Sequence, residues 1–253
     1  MKPLQINDEA VSEAIGFIIL FGLVTIGIGL VTMYGYPILL REQTNANERN
    51  MEQTLIVLQN DVKSLCYKNV PFKETSLSVG GGSLAFYRYG AAAVDANQYF
   101  ELTVSDGTID TAIGTAGLDR LDLSELRYQT DSGGMVLAIE NGAVMKRSEG
   151  QTGSVMIAEP RWFIDVDPIT NEKTMVIYYI NLVSSGSLSR TGVGNVRMKA
   201  TVLPMFEGSG TDFNVQVQYH PDTNPANPPN DYATAWKNYF VNTMKMTETG
   251  PNT

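Results

Sequence analysis

Few residues in this sequence have the type and spacing to carry chemistry. Asp165, Asp167, Asn171 and Glu172 set oxygen ligands at intervals a calcium ion could use. The run lacks the sixth-position glycine and twelfth-position glutamate of the helical calcium loop, so DPITNE at 167–172 reads instead as a hairpin connection. Three glycines at 80–82 are followed by neither Lys-Ser/Thr nor a helical pattern, which predicts a bulge or tight bend rather than a phosphate cradle. The serines of LVSSGSLSRTG have no histidine or lysine at an activating spacing. His220 and Cys66 are the only residues of their kinds, which excludes an intrachain disulfide, a Cys-rich zinc site and most histidine chemistry. Asp119 and Asp122 are carboxylates that sequence alone cannot bring together. The reading is a non-enzyme with no catalytic residue, no metal site and no cofactor.

The remaining chemical question is at the front. Asp8, Glu9 and Glu13 crowd the mouth of a span, residues 14–40, that carries no charge at all. A carboxylate at the end of a membrane helix is costly and is kept mainly when a cation meets it. Residues 15–33 would form a helix about 28 Å long, matching a hydrocarbon core of about 30 Å. Tyr34 and Tyr36 then fall at the interface and Arg41 at the aqueous edge. A cleaved secretory signal would need a shorter apolar region with a small-x-small site behind it, and YGYPILLREQ offers none. A permanent anchor is expected. Its glycines, Gly16 and Gly22 among them, would let neighbouring helices approach closely. Pro37 would break or kink the helix near residues 33–37.

Behind the anchor come the elements that must carry any site. Met51, Leu55, Leu58, Val62 and Leu65 recur every three or four residues, an amphipathic helix over 41–67 whose apolar stripe packs on the domain behind it. From about Lys68 the period changes to two. TSLSVGGGSLAFYRY, YFELTVSD, ELRYQT, GMVLAIENGAVMKRSE, SVMIAEPRWFIDV, KTMVIYYINLV, NVRMKATVLPMF and NVQVQYH read as strands, with Asn141-Gly142 a two-residue hairpin turn. Residues 68–220 therefore form a β-rich head, mainly an antiparallel sheet or sandwich. Residues 221–230 are a proline-rich loop. The segment 231–253 holds an amphipathic helix and tail, with Asp231 as N-cap and an aromatic stripe of Tyr232, Trp236, Tyr239, Phe240 and Met244. The fold class is α+β: a long N-terminal transmembrane or assembly helix, a β head and a C-terminal helix. A net charge of −9 argues against affinity for nucleic acid or anionic headgroups.

The segment DEAVSEAIGFIILFG, residues 8–22, resembles the processing and assembly segment of archaeal type IV pilin-like proteins. VGGGSLAFYRY, YQTDSGGMVLAIENGAV and GSVMIAEPRWFIDV are similar to an uncharacterised archaeal membrane-anchored family with a pilin-type N-terminus. The resemblance implies a ten-residue leader, 1–10, cut by a prepilin-type peptidase between Ala10 and Val11. The hydrophobic helix is then 11–40, and Glu13 becomes the third mature residue, able to pair with a free α-amino group. Glu13, Gly16, Gly22 and Pro37 are the residues it assigns to assembly. Its partners are the membrane, the peptidase and further copies of the same chain through the N-terminal helix. The head lies outside the cell membrane, and in an extracellular filament once assembled. The function implied is a structural subunit, major or minor, of a type IV pilus-like filament, with a tip or adhesive role among those its size suits. The alternative is a stand-alone single-span surface protein that binds a ligand or partner through its head.

Overall fold

Every large apolar side chain in residues 15–40 is exposed, from Ile15 and Phe17 to Leu39 and Leu40. That is the first feature of the computed structural model, which describes residues 8–68, 70–88, 98–105, 110–112, 120–148, 153–185, 189–201, 214–221 and 231–250. The chain divides into two units, Met1–Asn47 and Glu48–Thr253.

The first unit is helical throughout its described part. Helix α1 spans Asp8–Leu30, a π-helical turn follows at Val31–Gly35, and α2 spans Tyr36–Tyr67. Pro37 has no N–H to donate to the carbonyl one turn back, and its ring would strike that carbonyl. Near residues 33–37, where the sequence led one to expect a break or kink, the chain stays helical. It widens instead: the N–H of Tyr36 donates to Val31 O, five residues back, and the helix continues. Thr25 and Thr32 spend their hydroxyls on the carbonyls of Phe21 and Ile28, so neither breaks the apolar surface with a free polar group.

In the second unit the strands are β1 (Lys73–Arg88), β2 (Tyr99–Ser105), β3 (Asp110–Ala112), β4 (Arg120–Asp122), β5 (Ser124–Thr130) and β6 (Met135–Glu140). They are followed by β7 (Ala143–Ser148), β8 (Ser154–Ala158), β9 (Trp162–Val166), β10 (Lys173–Ile177), β11 (Ser189–Met198) and β12 (Asn214–His220). All described pairings are antiparallel. The main sheet has the order β11-β1-β5-β6-β7-β8; β9 and β10 form a hairpin; β12, β2, β3 and β4 form a second sheet around β2. The fold class is α+β.

The main sheet is covered on both faces, and β6 shows why its sequence lacks alternation. All six residues of MVLAIE are buried. Leu137 and Ile139 face a core shared with Met51, Leu55 and Leu58 of α2. Ala138 faces the opposite core, shared with Phe100 of β2, Trp162 of β9 and the C-terminal aromatics. A strand buried on both sides reads as a continuous apolar run. Polar ties also fix α2 to the sheet: Lys146 meets Glu52, Lys73 and Thr75 of β1 meet Asp61, and Gln59 Nε2 donates to the carbonyls of Gly142 (2.6 Å) and Glu159 (3.0 Å).

The glycine run makes the expected bulge: β1 continues through it, with its register against β11 shifting between Val79 and Leu84. Among the expected strands, NVRMKATVLPMF leaves its ladder after Met198, and two others are also cut short. SVMIAEPRWFIDV divides at Glu159–Arg161, because Pro160 cannot donate to a ladder. KTMVIYYINLV leaves the ladder after Ile177, and side chains satisfy its backbone instead. Asn141 Oδ1 accepts from Ile180 N at 2.7 Å and Ser124 Oγ from Leu182 N at 2.9 Å. The C-terminal helix is also shorter than expected: α3 is Ala233–Asn238, followed by a π-turn at Tyr239–Thr243. Its cap position falls on Tyr232, although Asp231 Oδ1 still accepts from Ala233 N at 2.8 Å. The stripe Tyr232, Trp236, Tyr239, Phe240 and Met244 is buried as its spacing predicts. The proline-rich 222–230, and residues 1–7 of the expected leader, lie outside the described residues.

Candidate functional site

Among the described residues the N-terminal helix is the one long and apolar enough to cross a membrane. A helix apolar around its whole circumference needs an apolar surrounding, either lipid or other apolar helices. The residues expected to govern processing and assembly all lie on α1 and the start of α2. Ala10 and Val11 are in the first turns of α1, and only their backbone is described. Glu13 is exposed and has no ion pair among the described residues. A Cβ built on Gly16 or Gly22 would meet nothing within 4 Å, so nothing among the described residues requires glycine at either position. Pro37 is the second residue of α2, directly after the π-turn. These residues share one helix and do not converge on a pocket.

Elsewhere, two of the candidate ligands found by spacing, Asp165 and Asp167, accept local backbone N–H groups. Asp167 Oδ1 accepts the backbone N–H groups of Ile169 (2.7 Å) and Thr170 (3.1 Å), closing the β9–β10 turn. Those bonds hold its carboxyl below the usual carboxylate range. His220 stacks on Tyr99 at 4.2 Å, and Arg120 lies over the same ring at 4.0 Å.

The sequence reading missed a layer of polar side chains between the main sheet and the second sheet. Glu125 and Glu140 are direct cross-strand partners, both 0% exposed. Arg127, also buried, reaches Glu125 with Nε at 2.6 Å and with Nη2. Glu140 Oε1 accepts from the indole Nε1 of Trp236 at 2.8 Å, and Oε2 meets Gln98, whose Nε2 also donates to Tyr219 Oη at 2.7 Å. Burial pushes the Glu140 carboxyl well above the ordinary range and Glu125 pushes it further, against the pull of Trp236 and Arg127. Tyr219 and Tyr232 are likewise raised by burial and by these acids. The signal was faint: Glu140 ends an apolar run where a surface acid is expected, and only burial on both faces reverses that expectation.

A family model described as "Family of unknown function (DUF7289)" matches residues 9–252. The chain belongs to this family. The match takes in the apolar helix together with the head. No curated protein and no solved structure matches the chain. Among the described residues of this layer, Glu125, Glu140, Gln98 and Trp236 are all buried. The N-terminal helix exposes its large apolar side chains over residues 15–40.

Proposed function

We propose that this DUF7289 chain is a type IV pilin-like subunit, anchored in a membrane by its N-terminal helix and incorporated into a surface filament when that helix bundles with copies of itself. One observation carries the reading. The helix exposes every large apolar side chain over residues 15–40, while further on Met51, Leu55 and Leu58 are buried in the core of the head. Such a surface suits lipid before assembly and neighbouring helices after it. In this reading the head lies outside, a prepilin-type peptidase cuts between Ala10 and Val11, and the exposed Glu13 finds its cation on a neighbouring subunit. The open space around Gly16 and Gly22 supports close approach by another helix.

Mass spectrometry of the protein extracted from membranes tests the processing. The expected mature chain begins at Val11; an intact Met1 end, or a cut beyond Leu40, refutes pilin-type maturation. Shearing cells then tests assembly, with the chain expected in high-molecular-weight fibres. A mature chain that stays wholly in the membrane fraction makes it a stand-alone anchor instead.

A further inference from the structure

We propose that Glu140 is carried as a neutral carboxylic acid and works as a pH-operated latch, holding the second sheet and the C-terminal segment on the main sheet until it ionises. This goes beyond the proposed function and does not depend on it. The carboxyl stands on β6, and its two oxygens reach different elements: the indole of Trp236 on α3, and the amide of Gln98 just ahead of β2. Through Gln98 it also reaches the hydroxyl of Tyr219 on β12. One side chain thereby joins β6, α3, β12 and the residue ahead of β2.

The groups around it decide its protonation. Glu125 faces it directly from β5, with Arg127 next on the same face of that strand. Arg147 lies further along β7, opposite Val136. Tyr219 approaches from β12, and Tyr232 from the residue before α3. Arg127 reaches Glu125, and Glu140 has no ion pair among the described residues. A second carboxylate here would be desolvated and beside a like charge, the arrangement that drives one of two acids to keep its proton. Opening the latch breaks the carboxyl O–H bond, leaves its electron pair on the oxygen, releases the proton to solvent and changes no other covalent bond of the chain.

Because the folded carboxyl titrates above its unfolded value of about 4.3, its contribution to stability is complete below that value and is lost as pH rises through the folded one. The test uses full-length protein in detergent micelles, titrated from about pH 4 to about pH 9, below the ordinary tyrosine range. An infrared band of a protonated carboxyl is expected to persist at neutral pH and to be missing from Glu140→Gln. On the alkaline side the fluorescence of Trp162 and Trp236, the chain's only tryptophans, should change reversibly. Amide exchange across residues 233–244 should accelerate beyond its intrinsic pH dependence, and Glu140→Gln should show neither change. A wild-type protein with no protonated carboxyl at neutral pH overturns the proposal, as does a Gln variant that keeps the wild-type transition. Should Glu140→Gln fail to fold, the wild-type infrared titration decides alone.

Discussion

Gly142 carries a backbone twist and a tight contact at once. With Asn141 at φ 46° and Gly142 at φ 73°, the β6–β7 turn has the two left-handed residues that a type I′ hairpin needs. A Cβ at 142 would also stand 2.9 Å from Ile180 Cδ1. Gly142→Ala is therefore expected to cost about 1–2 kcal/mol from the left-handed backbone alone, and more from the displaced isoleucine. Chemical denaturation of the full chain in detergent checks this: the midpoint should fall without a change of slope, and an unchanged midpoint refutes it. The turn itself was legible, because Asn-Gly between apolar runs has a local cause. Its burial was not. Asn141 is 0% exposed, and it is held by Ile180 while Gln59 bonds the Gly142 carbonyl, residues distant in sequence that no local pattern connects to it. Glu140 was missed for the same reason, since a carboxylate is ordinarily assigned to the surface unless its partners are known.

Among the elements, α2 shows what periodicity can and cannot deliver. The stripe of Met51, Leu55 and Leu58 predicted a packed face, and those side chains are buried against the main sheet. Neighbouring positions differ sharply: Leu58 is 1% exposed and Val57 is 52% exposed. Leu58→Ala should cost about 2–5 kcal/mol through lost burial and the cavity left behind. Val57→Ala should stay within about 0.5 kcal/mol. Lys146→Ala breaks the half-exposed pair with Glu52 and should cost no more than about 1 kcal/mol once solvent screening is counted. Thermal unfolding followed by near-UV circular dichroism ranks the three, and equal losses for Leu58 and Val57 would refute the packing. Strand limits were less legible than strand existence. Pro160 cuts one run for a local reason, whereas 178–184 leaves its ladder because Ser124 and Asn141 offer its backbone other partners. Those partners are set by the tertiary fold.

At the scale of the whole molecule, the apolar helix and the head core meet in the sequence near Asn47, and the two parts have different requirements. Residues 15–40 contribute no buried large side chain to the described structure, whereas Met51, Leu55 and Leu58 belong to the head's own core. Burying each of those three is worth about 1.5–3 kcal/mol. Together that is of the same order as the net stability of about 5–15 kcal/mol available to a domain. Where the chain is cut should therefore matter more than how much is removed. A chain starting at Arg41 should leave the membrane fraction and keep the near-UV dichroism of buried Trp162 and Trp236. One starting at Lys68 loses the helix that covers the main sheet, exposes Leu137, Ile139 and Val144, and should aggregate or lose that signal. Equal behaviour of the two truncations would mean that α2 is not part of the head's core. Membrane retention of the shorter deletion would mean that the apolar span is not what anchors the chain.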